Sequence, residues 1–207
     1  MSDGTHGLAF QGKPADDFQD DDRRQGQRYT LLLRTAKFVA DGMEHLCIIR
    51  EASDSGVKIQ LFNPVPEAAS FALEMPNGDL HPIAFIWSKD DVAGFRFHRG
   101  IDLAQFIQAS ASESARKYVR LQKRMQGTLT VDGQIIPISF ANISQQGACI
   151  ECSASLAIDQ LVAIDMGVLT PTFAKVRWRN RPQYGLIFEQ IYRFEELARK
   201  LGFTARP

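Results

Sequence analysis

The chain has 207 residues, 44% of them hydrophobic and 23% charged, and its 24 basic and 24 acidic side chains cancel to a formal net charge of zero. This is the make-up of an ordinary soluble globular protein, and so even a balance argues against a nucleic-acid polymer as partner. No run approaches the roughly 20 apolar residues of a membrane span, and three cysteines without framework spacing do not make a disulfide scaffold.

Residues 1–22 carry Gly4, Gly7, Gly12 and Pro14 and end in Asp16, Asp17, Asp20, Asp21 and Asp22, so they read as a disordered acidic tail. They lack the basic start and apolar core of a secretory signal, and a cytoplasmic location is expected. A first domain is expected over 23–107, a short Ala/Ser-rich connector over 108–115 and a second domain over 116–207. Within the first, Asp41-Gly42 and Asn77-Gly78 are favoured hairpin turns. Val57–Phe62, Pro82–Trp87 and Phe95–Phe97 read as strands, and Leu103, Phe106 and Ile107 as one face of a closing helix. Within the second, Met125–Val131 and Gln134–Ala141 flank the turn Asp132-Gly133. Ala148–Cys152, Phe173–Trp178 and Leu186–Phe188 follow as strands, and Ile191, Phe194, Leu197, Ala198 and Leu201 share a helical face.

The two lists are one list written twice. A shift of 91 positions carries Asp41-Gly42 onto Asp132-Gly133, Met75 onto Met166, Trp87 onto Trp178, Gly94 onto Gly185 and Phe97 onto Phe188. A period this long suits a small domain, not a solenoid unit. Several short strands and one terminal helix per copy predict a mainly β fold, with barrel and sandwich both open. Charge divides unevenly between the copies: residues 1–107 hold 11 basic and 16 acidic side chains, residues 108–207 hold 13 and 8. The asymmetry suits either attraction between the two halves or a small anion.

Two polar features recur in each copy. One is a pair of arginines four apart: Arg24 and Arg28 in the first copy, with Arg23 beside them, and Arg116 and Arg120 in the second. The other is a polar turn, Glu51, Ser53 and Gly56 in the first copy and Asn142, Ser144 and Gly147 in the second. The arginine fork pairs two-point with phosphates or with the Hoogsteen edge of guanine. An amide or carboxylate accepts from the opposite guanine edge, a serine hydroxyl bridges, and glycine lets a ligand approach the backbone.

In these residues the chain resembles the PilZ domain, a bacterial receptor for cyclic di-GMP whose hallmark is R-x-x-x-R followed by [D/N]-x-S-x-x-G. The second copy matches in full at Arg116, Arg120, Asn142, Ser144 and Gly147; the first departs at Glu51, where Asp or Asn is usual. The tryptophan and following G-x-x-F, Trp87 with Gly94–Phe97 and Trp178 with Gly185–Phe188, extend the likeness. The resemblance implies two six-stranded barrels in tandem, each followed by a C-terminal helix. It also implies a non-catalytic cyclic di-GMP receptor that changes inter-domain arrangement and acts on a protein partner. The alternative is a pair of barrels acting as an interaction adaptor without nucleotide. Arg23 next to Arg24 would favour a stacked ligand dimer, and the acidic tail would mask the first site electrostatically.

Other chemistry has little support. Cys149 and Cys152 form C-x-x-C, but their odd separation on a strand points them to opposite faces, and no histidine pair completes a metal site. No nucleophile has a base beside it, and no phosphate-cradling P-loop appears. Trp87, Trp178, Phe95, Phe97 and Phe188 are expected in the barrel cores, with no cofactor beyond the ligand.

Overall fold

The computed structural model describes residues 29–109 and 118–202. The expected tail, Arg23, Arg24, Arg28 and Arg116 lie outside them. The first copy comprises β1 (Tyr29–Ala40), β2 (Met43–Ala52), β3 (Gly56–Gln60), β4 (Phe71–Glu74), β5 (Leu80–Lys89), β6 (Val92–Phe97) and α1 (Leu103–Ala109). The second comprises β7 (Met125–Val131), β8 (Gln134–Ile143), β9 (Gly147–Glu151), β10 (Leu161–Asp165), β11 (Thr172–Asn180), β12 (Gln183–Phe188) and α2 (Phe194–Gly202). Each set of six strands closes into an antiparallel barrel, in the orders β1-β2-β3-β6-β5-β4 and β7-β8-β9-β12-β11-β10. The fold is therefore mainly β, two six-stranded barrels each followed by a helix, as the resemblance implied, and the choice between barrel and sandwich is closed.

The repeat extends to single backbone bonds. Asp41, Gly42, Asp132 and Gly133 all hold positive φ, the geometry that a two-residue hairpin requires. Phe97 N–H donates to Ser55 O and Phe188 N–H to Gln146 O, while Ile101 N–H donates to Asp54 O and Tyr192 N–H to Gln145 O. These contacts tie the polar turn of each copy to the end of its last strand and to the chain entering its helix. Closure also leaves no free sheet edge.

The barrels differ in what lies outside them. On β2, Cys47 and Ile49 point into the first barrel, and alternation should send Leu46 and Ile48 to solvent. Both are buried instead, at 3% and 8% exposure, and with Phe62 at 7% they belong to the core cluster of the second barrel. Their cover is α2, whose Leu197, Ala198 and Leu201 are buried. Phe194 meets Phe62 edge-on at 5.8 Å, the Arg199 guanidinium lies over the same ring, and Asn63 Nδ2 donates to Ala198 O at 3.2 Å. Burying Phe62 contributes about 1.5–3 kcal/mol to holding the barrels together. Ile191 departs from the expected helical face: it precedes α2 and is 52% exposed, because the helix begins at Phe194.

His45 is buried in this interface, near the Gly202 backbone and Lys123. Burial depresses its pKa below 6.5; a hydrogen bond with the Gly202 backbone opposes the shift and the Lys123 charge adds to it. The unfolded chain therefore binds a proton that the folded chain refuses, so stability is present above pH 6.5 and lost as pH falls below it. Thermal midpoints should drop between pH 7 and 5, and His45→Gln should flatten that slope. Burial lowers the pKa of His81 as well, so some slope should survive the change. An unaltered slope in His45→Gln would remove the interface as its source.

Candidate functional site

In the second barrel the motif residues Arg120, Asn142 and Ser144 converge on one cleft. The chain enters along Tyr118–Gln122, where Leu121 and Ile143 exchange backbone hydrogen bonds of 2.8 and 3.0 Å. That pairing lays Arg120 against the end of β8, and its Nη1 donates to Asn142 Oδ1 at 3.1 Å. The following turn closes with Ser144 N–H on Gly147 O at 2.8 Å, and the Ser144 hydroxyl donates to the same carbonyl at 3.1 Å. Ser144 is buried and shapes the turn, while still lining the cleft.

Gly147 has a reason of its own. A Cβ there would fall on the carbonyl of Leu186 across the β9–β12 ladder, so the glycine is demanded by the wall itself. The cleft above it measures about 710 Å³ and is completed by Gln146, Gln183 and Trp178. Arg120 is the one ionic side chain lining it among the described residues, and no carboxylate does. Cys149 also lines it; burial raises the thiol pKa, the Arg120 charge opposes that and Glu151 adds to it. Cys152 points instead into the core, on the opposite side from Cys149 as the odd spacing required. Among the described residues no cluster of metal-ligating side chains is present.

The tryptophans correct the sequence expectation. Trp178 and Trp87 are 41% and 43% exposed, whereas Phe95, Phe97 and Phe188 are in the cores as expected. Each indole lies over a glycine on the neighbouring strand, Trp178 on Gly185 and Trp87 on Gly94, at a register shift of the ladder. A core tryptophan needs no glycine opposite. The paired recurrence of Trp and Gly in both copies was the signal for an aromatic laid flat on the outer wall. Tyr118, Gln146 and Gln183 carried no such signal, since a lone tyrosine or glutamine is unremarkable until the fold gathers them.

The equivalent cleft of the first barrel is lined by Glu51, Ser53, Gly56, Lys58, Ile86 and Trp87, among others, and holds only about 130 Å³. Its turn repeats the second, with Ser53 N–H donating to Gly56 O at 2.8 Å and Gly56 N–H to Ser53 Oγ at 3.1 Å. Its walls do not. Lys58 Nζ donates to Glu51 Oε1 at 3.1 Å, so this space holds an internal ion pair where the second copy places Asn142 and Cys149. Ile86 stands where the second copy has Arg177.

The PilZ domain profile matches residues 114–199, which span the second barrel and most of α2. No curated protein matches the chain. Similar solved structures include PlzA of Borreliella burgdorferi in complex with c-di-GMP, at 10% identity over 85% of this chain and 93% of that one, with a TM-score of 0.36. The Bacillus subtilis inhibitor of motility MotI/DgrA follows at 11% identity, with 84% and 96% covered and a TM-score of 0.37. YcgR of Escherichia coli in complex with c-di-GMP is 9% identical, with 81% of each chain covered and a TM-score of 0.30.

Since Gly147 is held against a backbone carbonyl with no side chain able to yield, Gly147→Ala should destabilise the second barrel by about 1–3 kcal/mol. Gly133→Ala, where a Cβ meets nothing but φ is +77°, is the control for backbone strain alone. Chemical denaturation of the two variants should separate the causes; a wild-type midpoint for Gly147→Ala would mean that the ladder relaxes around the methyl group.

Proposed function

We propose, from the premise that residues 114–199 are a PilZ domain, that the chain is a cyclic di-GMP receptor. The second barrel would hold the ligand, and a change of inter-domain arrangement would pass the signal to a protein partner. The observation that carries this reading is the Arg120–Asn142 pair on the wall of a cleft free of carboxylates among the described residues. Its volume falls within the range usual for ligand pockets, about 300–1,000 Å³.

The chemistry of each group fits its place. Cyclic di-GMP presents two phosphates and two guanines, so it offers acceptors at the phosphate oxygens and at guanine O6 and N7. The Arg120 fork matches either acceptor set, and Arg116, four residues earlier, would supply a second fork. When Arg120 turns to the ligand it leaves Asn142 Oδ1 to accept from the N–H groups on the opposite guanine edge. The exchange keeps both groups hydrogen-bonded before and after binding, which keeps its cost small. The Ser144–Gly147 turn would form the floor, and the exposed face of Trp178 offers a surface for a base. The reading assigns no catalytic residue and places the protein in the cytoplasm, where this messenger acts.

For the first barrel the adaptor reading has the better support. Lys58 and Glu51 satisfy one another across a space smaller than such a ligand needs, and Phe85, Ile86 and Trp87 leave an apolar strip beside it. Arg23, Arg24, Arg28, Glu51, Ser53 and Gly56 would then be relics of duplication rather than a second receptor site.

Calorimetric titration of the whole chain with cyclic di-GMP, against GMP and cyclic AMP, should give selective binding that Arg120→Ala weakens by about 1–3 kcal/mol. Lys58→Ala should leave the affinity and stoichiometry of the second barrel untouched. Equal affinity in wild type and Arg120→Ala would sink the mechanism.

A further inference from the structure

The segment that carries Arg120 is gripped from both sides. On the side of the second barrel, Arg120 holds Asn142 and Leu121 pairs with Ile143. One residue later the chain is held by the other barrel: Gln122 N–H donates to Glu44 Oε2 at 2.6 Å, a contact spanning 78 positions of sequence. Glu44 is the second residue of β2, beside His45 and Leu46 of the interface. Gln122 itself lines the cleft. Lys123 then donates through Nζ to Leu201 O at the end of α2.

Glu44 is itself fixed. Its other carboxylate oxygen takes Lys37 Nζ at 2.8 Å, and Lys37 also reaches Glu74 Oε1 at 2.7 Å. Burial alone would lower the Lys37 pKa, but the two glutamates outweigh it and raise it, so the ammonium stays charged. Two carboxylates share one ammonium, which leaves Glu44 with negative charge to offer the Gln122 N–H. A hydrogen bond to a charged, mostly buried acceptor is among the stronger kinds.

The internal repeat shows that barrel construction does not require an acid here. The position matching Glu44 in the second copy is Ile135, which is 72% exposed, and Lys37 is matched by Thr128. The Lys37–Glu44–Glu74 triad is thus particular to the first barrel, and its outward end meets the segment that carries Arg120.

We propose that Glu44 is a positioning residue for the ligand cleft of the second barrel, bracing the Tyr118–Gln122 segment from across the domain interface through the Gln122 N–H. This rests on the receptor reading and adds to it a contribution from the first barrel, made without touching ligand. The brace holds the segment near its binding geometry, so that less conformational freedom is lost when ligand is engaged. It also gives ligand a direct hold on the first barrel, because any shift of Arg120 pulls on Glu44 through Gln122, two residues further on.

The test combines amide hydrogen exchange with calorimetric titration of cyclic di-GMP on the full chain. In the wild type the Gln122 amide should be protected. Glu44→Ala should abolish that protection and weaken cyclic di-GMP binding about three- to tenfold, part of what one charge-assisted hydrogen bond is worth. Glu44→Gln keeps an acceptor oxygen and should recover most of both. Glu44→Asp keeps the charge for Lys37 but draws the acceptor back, so it should behave like Glu44→Ala with less disturbance to the triad. The amide of Leu129, in the core of the second barrel, reports whether each variant is folded. Unchanged affinity in folded Glu44→Ala and Glu44→Asp overturns the brace. A wild-type chain that fails to bind cyclic di-GMP defeats the receptor reading; unprotected exchange at Gln122 overturns the brace by itself.

Discussion

Burial of β2 on both of its faces is the constraint from which the arrangement of this molecule follows. A barrel strand ordinarily spends alternate side chains on its own core and gives the others to water. Here His45–Ile49 is buried without interruption, because the outer residues Leu46 and Ile48 are covered by α2 of the second barrel. The helix in turn buries Leu197, Ala198 and Leu201 in the same cluster as Leu46, Ile48 and the core of the second barrel. The segment leading into β7 meets the start of the same strand, where its Gln122 N–H donates to Glu44. The interface and the wall of the candidate cleft are therefore one structure.

Against this shared frame the two copies have gone separate ways. Their Asp-Gly hairpins, polar turns and strand-end contacts repeat the same backbone bonds, which shows how much of the barrel is set by backbone geometry. Around the cleft the differences on the outer wall include Glu51 against Asn142, Lys58 against Cys149, and Ile86 against Arg177. In the first copy Glu51 and Lys58 satisfy one another, and Ile86 presents hydrocarbon, where the second copy lines its cleft with Asn142 and Cys149. Divergence of this kind leaves the fold intact, since none of these side chains is part of the barrel interior.

Much of this was legible in the chain. The shift of 91 residues exposed the duplication, and the Asp-Gly pairs placed the hairpins, because that dipeptide is favoured where two successive residues take positive φ. The short strands Phe71–Glu74 and Leu161–Asp165 did not declare themselves, being four and five residues long and placed where barrel closure, a long-range condition, demands a partner. The tryptophans were misread because hydrophobic bulk predicts burial on average, while their position is set by a glycine on the next strand. Spacing singled out Arg120, Asn142 and Ser144, which the fold brings to one cleft. Glu44 was not findable that way: its partner is 78 residues distant and is a backbone N–H, which carries no residue identity for a sequence to reveal. The unbroken run His-Leu-Cys-Ile-Ile did hold a clue to two-sided burial, since a half-exposed strand would have alternated.

The double-faced strand also imposes an order on the molecule's birth. The first barrel can close as soon as α1 has emerged, but Leu46, Ile48 and Phe62 stay uncovered until α2 has been made, some 90 residues later. At synthesis rates of about 5–20 residues per second, the nascent chain displays that apolar face for roughly 5–20 s. Throughout that interval the patch is open to chaperones and to the same patch on neighbouring nascent chains. Any shortening of the chain before α2 would make the display permanent, turning an internal seam into an adhesive surface.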